Sequence, residues 1–123
     1  MAVVLVVLLA LLGQHLGPAL ANGTIRAVVK DQQVGPYKIQ VGIQPAPAKV
    51  GNLHVGVLVK EFETGETIID ADILVSARGP AGSTSAGPVQ AQHALRNLES
   101  YETNLPLDLA GSWTLSVDVA SHL

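Results

Sequence analysis

The side chains that could do chemistry in this chain are few. They are the histidines His54, His93 and His122, and two aspartates spaced two apart, Asp70 and Asp72. Neutral imidazoles ligate transition metals, and clustered carboxylate oxygens suit Ca²⁺. If His54 and His93 meet across neighbouring strands, they form the start of a His-only or His/carboxylate site. Asp70 and Asp72 share one face of an extended segment, because side chains two apart in a strand point the same way. With Glu63 or Glu66 they could outline a shallow Ca²⁺ site. The plainer reading of both sets is a solvated outer face, and it is the favoured one. His54, His93, Asp70 and Asp72 therefore stand as weak metal candidates, and no cofactor is expected.

Other chemistries find less support. No GxSxG sequence is present, and Ser83 and Ser85 lie in a Gly-rich loop where a hydroxyl could not be pre-organised as a nucleophile. Gly79, Gly82 and Gly87 lack the Gly-Lys-Ser/Thr ending of a phosphate loop, so no nucleotide partner is expected. An alternating outer face offers no cleft in which paired carboxylates could act as acid and base. The seven Lys and Arg residues are scattered and the net charge is −3, which argues against a nucleic-acid partner. No catalytic residue is assigned and the chain is expected not to be an enzyme.

The elements that must position these side chains read as strands. In residues 37–44 Tyr37, Ile39, Val41 and Ile43 alternate with Lys38, Gln40, Gly42 and Gln44, the pattern of a half-buried strand. Leu53, Val55, Val57 and Val59 repeat it, and so do Ile69, Ala71, Ile73, Val75 and Ala77. The strictest case is Trp113, Leu115, Val117 and Val119 against Ser112, Thr114, Ser116 and Asp118. These inward rows are the predicted core, with Trp113 a core residue and the Tyr37 and Tyr101 rings inward, hydroxyls at the rim. Thr64-Gly65 supplies a turn joining two long strands, Pro45-Ala46-Pro47 ends one, and residues 79–88 form a loop. Residues 89–100 fit a helical spacing of Ala91, Leu95 and Leu98, or a strand with a turn at Arg96-Asn97; the strand is favoured. About seven antiparallel strands at this turn spacing predict an all-β, immunoglobulin-like sandwich.

Residues 1–21 read as a signal peptide ahead of a domain over 22–123. Residues 2–12 form an uninterrupted apolar run of h-region length, too short to span a bilayer as a helix. Pro18 breaks the helix, and Ala19-Leu20-Ala21 fits the small-x-small rule, so cleavage is expected before Asn22. The positive n-region is missing, since the first Lys or Arg is Arg26. An uncleaved N-terminal anchor is the rival reading. The chain has no cysteine, so an exported domain must hold by packing and strand pairing alone, and thiol chemistry is excluded.

Val34-Gly35-Pro36-Tyr37, Val50-Gly51-Asn52-Leu53, Thr64-Gly65, Asp70-Ala71-Asp72-Ile73, Gly79-Pro80, Tyr101-Glu102 and Gly111-Ser112-Trp113 together resemble the YtkA-like domain family, related to FixH-like proteins. The resemblance covers about residues 34–119. It implies a bacterial extracytoplasmic β-sandwich, membrane-associated, with copper-handling proteins as neighbours and no activity established for the class. A copper site is thus an expectation of low weight, because the only Met is Met1 and soft copper sites want Met and Cys beside His. Such domains continue past the GxW strand into one more strand, whereas here the chain ends soon after Val119. Either a C-terminal fragment or a domain whose free edge pairs with a partner is expected.

The functional expectation is an exported, non-enzymatic binding or accessory module at the outer face of a bacterial membrane. It would be periplasmic or at the cell surface, membrane-anchored if the leader stays, with a membrane or envelope protein as partner. The alternatives are a periplasmic copper- or cation-handling protein and an adhesive module that pairs through an exposed edge strand.

Overall fold

The computed structural model describes residues 2–11 and 25–123. These form nine strands and no helix: β1 (Ala2–Leu11), β2 (Arg26–Val34), β3 (Tyr37–Gln44), β4 (Gly51–Glu61), β5 (Asp72–Arg78), β6 (Ala86–Gln90), β7 (Gln92–Ala94), β8 (Asn97–Leu107) and β9 (Gly111–Ala120). They pair antiparallel in a four-stranded sheet, order β1-β9-β5-β6, and a five-stranded sheet, order β2-β3-β4-β8-β7. The two sheets pack as a sandwich, the predicted fold class.

Strict alternation does what it predicts. The inward rows Tyr37, Ile39, Val41; Leu53, Val55, Val57, Val59; Ile73, Val75; and Trp113, Leu115, Val117, Val119 are all buried. Aliphatic side chains fill most of this interior, and Trp113, Tyr37 and Tyr101 are its largest fully buried members. Each buried aromatic finds a polar partner, as such groups must. Trp113 Nε1–H donates to the Leu109 carbonyl at 2.9 Å, and the Tyr37 hydroxyl is hydrogen-bonded to Ser121 Oγ at 2.5 Å. Residues 89–100 are extended as favoured, with the turn between β7 and β8 at Leu95-Arg96, one residue earlier than expected, because Asn97 already opens β8.

Three expectations change. Thr64-Gly65 does not join two strands of one hairpin, since β4 lies in the five-stranded sheet and β5 in the other. A short hairpin starts, with Lys60 bridging Thr67 and the Ile68 amide donating to the Val59 carbonyl at 2.8 Å, and the chain then leaves to cross the sandwich. That crossover shifts the alternation by one residue. Ile68 is buried, while Ile69, expected in the core, is 58% exposed; Ala71 is only partly buried against the core.

The third change concerns the N-terminal apolar run. Ala2–Leu11, expected as the apolar stretch of a leader helix, is strand β1, paired in unbroken register from Ala2↔Ala120 to Leu11↔Gly111. Leu5, Val7, Leu9 and Leu11 face inward and are buried. The place beside β9, where a strand was expected to be missing, is therefore filled by β1. The cleavage positions Ala19, Ala21 and Asn22 lie outside the described residues. Among the described residues no helix is long and apolar enough to cross a membrane.

Candidate functional site

The crossover is held by one phenol. The Tyr101 hydroxyl donates to the Ile68 carbonyl at 2.9 Å and accepts the Ala71 amide at 3.0 Å. Tyr101 belongs to β8 of one sheet, and the residues it grips lead into β5 of the other, so this side chain ties the sheets together. Burial pushes its pKa above the ordinary 10.0; the Ala71 hydrogen bond opposes that rise, and Asp70 and Asp72 add to it. The folded state thus prefers the neutral phenol. Its contribution is complete below about pH 10 and is lost as pH rises through the higher folded pKa. Tyr101→Phe strands a buried carbonyl and an amide, and is expected to cost about 1–3 kcal/mol at neutral pH. Urea unfolding should show that loss, and the variant's alkaline stability decline should be shallower than the parent's. An unchanged midpoint and an unchanged alkaline profile would refute the role.

The metal candidates do not converge. His54 lies on the outer face of β4, where Nε2 is 3.2 Å from Glu102 and Nδ1 is 3.0 Å from the Asn104 side-chain oxygen. His93 is paired with Tyr101 and stacks on its ring at 4.6 Å, with Nδ1 2.7 Å from the Leu98 carbonyl. Glu102 and Tyr101 alternate along β8, so His54 and His93 sit on opposite faces of the sheet. Asp70 and Asp72 do not share a strand, because β5 begins at Asp72. Asp70 is 3.6 Å from His122, and Asp72 accepts from Gln90 at 3.5 Å. Among the described residues no three His, Asp or Glu side chains group to hold a metal ion.

What the fold builds instead is a groove of about 760 Å³ on the outer face of the five-stranded sheet. Its floor is Gly42 and Gly56, directly paired across β3 and β4. Ile25 forms one wall; Leu95 and Arg96, at the β7–β8 turn, form the other, with Glu102 beside them. The dent exists because two glycines fall opposite each other on the outward row. Leu95 is 94% exposed, an aliphatic side chain held out into solvent at the lip. Sequence reasoning missed the groove, since the pairing of Gly42 with Gly56 depends on register; the two glycines on outward positions were the available signal. A smaller cavity of about 350 Å³ lies on the other sheet near Arg78, Pro88 and Ser116.

Substitution tests the floor directly. A Cβ at Gly56 would meet Ile25 Cδ1 at 3.8 Å and the Tyr101 carbonyl at 4.0 Å, ordinary contacts, whereas one at Gly42 would strike Ile25 Cγ2 at 2.5 Å. Gly56→Leu should therefore fill the groove without loss of stability, with a gain of up to about 1 kcal/mol from replacing a strand glycine. A thermal or urea midpoint lower than the parent's would contradict this geometry.

Comparison with protein-family models, with curated proteins and with solved structures returns no match to the chain.

Proposed function

We propose that this chain is an exported, non-enzymatic binding or accessory module, resembling the YtkA-like domains and working at the outer face of a bacterial membrane. The observation that carries the reading is the groove over Gly42 and Gly56. An open, glycine-floored channel with aliphatic walls and one charge of each sign at its rim, Arg96 and Glu102, suits an extended segment of a protein partner. The leader-like length of the apolar N-terminal run supports export. The partner class is an envelope protein.

A photo-cross-linker placed at Leu95 in the native envelope should give one discrete adduct. Gly56→Leu, whose added side chain meets only ordinary contacts at its Cβ, should abolish it. An adduct that persists in Gly56→Leu would remove the groove from the binding surface. N-terminal sequencing of the exported protein tests the export reading separately, and a mature chain that starts at Met1 would end the cleaved-leader version. Copper titration separates this reading from a cation-handling one: binding tighter than to a control sandwich, lost in His54→Ala, would favour the latter.

A further inference from the structure

Strand β1 fits its place on one face only. Its inward row, Leu5, Val7, Leu9 and Leu11, is buried and forms part of the core. Its outward row does the opposite. Val4 and Val6 are each 56% exposed and Leu8 79% exposed, and they stand across from Asp118, Ser116 and Thr114 of β9. Of the other outward residues of β9, Ser112 is polar and Ala120 is small. Aliphatic side chains beside a polar row gain little burial and leave apolar surface in water, so β1 is a good inner strand and a poor outer one.

The remaining edges are protected and this one is not. Strand β2 is bulged, carries Lys30 and Asp31, and holds Asp31 at a φ of 44°. Strand β6 has five residues and contains Pro88, and β7 has three. Charge, bulges, proline and shortness are the usual defences of an edge. The β9 flank is ten residues long with no bulge and no proline, and Asp118 is its single charge. It depends on whatever strand lies against it.

We infer that the β9 flank is a strand-acceptor site, which β1 fills from within the chain and which a strand of an envelope protein fills after β1 has gone. This rests on the reading of residues 1–21 as a removed leader. Removal is hydrolysis of the Ala21–Asn22 peptide bond by a leader peptidase. Water's hydroxyl goes to the Ala21 carbonyl and its proton to the Asn22 nitrogen, and β1 leaves with the leader. The chemistry of the occupant follows from the seat. It is an extended segment of about ten residues, antiparallel to β9, with aliphatic side chains at alternate positions spaced as Leu5, Val7, Leu9 and Leu11. Its outward positions are polar, with Lys or Arg favoured opposite Asp118. Such a strand keeps every inward contact of β1 and removes the exposed row, so it displaces β1.

The test uses the full chain with a specific protease site placed in residues 12–24, cut after folding. The probe is a fluorescent peptide that keeps the four inward residues of β1 and carries Thr or Lys at the outward positions. A second peptide of the same composition has the alternation shifted by one residue. The cut protein should release the β1 fragment and take up one in-register peptide per chain, at least about tenfold more tightly than the shifted one. Native mass spectrometry reads both events. If cutting unfolds the protein, the in-register peptide should restore the strand circular dichroism and the shifted one should not. Retention of β1 without exchange, equal uptake of both peptides, or failure of the peptide to restore a cut, unfolded chain would each overturn the proposal. None of these results depends on the native N-terminus, so a failure of the leader reading would be seen separately, by sequencing the exported chain.

Discussion

Trp113→Ala is expected to lower stability by about 3–5 kcal/mol, the range for truncating a large aromatic in a packed core. The ring is 1% exposed, lies across from Leu9 in the β1–β9 register, and is fixed at its polar edge by the Leu109 carbonyl. Gly79, which packs against the ring, has no side chain to fill the void. A Cβ at Gly79 would lie 2.5 Å from Cε2 and 2.6 Å from Cζ2 of the indole. The same contact yields a companion result. Gly79→Ala in the parent should cost about 1–3 kcal/mol through overpacking. Combined with Trp113→Ala it should cost less, because the added methyl then enters the cavity. Urea unfolding of the two single variants and the double variant measures the coupling. A loss below about 1 kcal/mol for Trp113→Ala would place the ring at the surface.

Leu9→Ala is expected to cost about 2–5 kcal/mol, as for buried leucine truncation, and Leu8→Ala to stay within about 0.5 kcal/mol of the parent. The two residues are neighbours in a run of aliphatic side chains and would be equivalent in a flexible leader. In strand β1 they are not: Leu9 is 7% exposed in the core and Leu8 is 79% exposed on the outer face. No loss in either variant, measured on the full chain, would show that the run adds nothing to the folded domain. A large difference would show that β1 completes the sandwich.

How much of this was legible in the sequence depended on whether the period survived locally. Trp113-Leu115-Val117-Val119 and Leu53-Val55-Val57-Val59 alternate against polar neighbours, and each formed the strand and faced the core as read. Ile69 failed for a physical reason. Counting back by twos from Ile73 passes through a bend, and the residue buried is Ile68, because its amide and carbonyl are tied to Val59 and Tyr101. The first strand was hidden by uniformity. In Ala2–Leu11 every residue is apolar, so no period distinguishes an inner face from an outer one, and length alone suited a leader. The His54–Glu102 contact and the Gly42–Gly56 floor depend on pairings between distant strands, which composition cannot supply. The candidate groove was invisible for that reason, though its two glycines stood in plain view.

The pairing of β1 with β9 also sets a timetable. Leu11 and its partner Gly111 are separated by about 100 residues, and Ala2 pairs with Ala120 near the other end of the chain. Among the nine described strands, the earliest in the chain is therefore the last to find its neighbour. At about 5–20 residues per second the apolar run waits several seconds with no partner in the chain. Contacts this distant are also the slowest to close once the chain is complete. During that interval ten consecutive apolar residues have no strand of their own domain to pair with. Topology thus leaves the most apolar strand of the fold exposed for the longest time before it is buried.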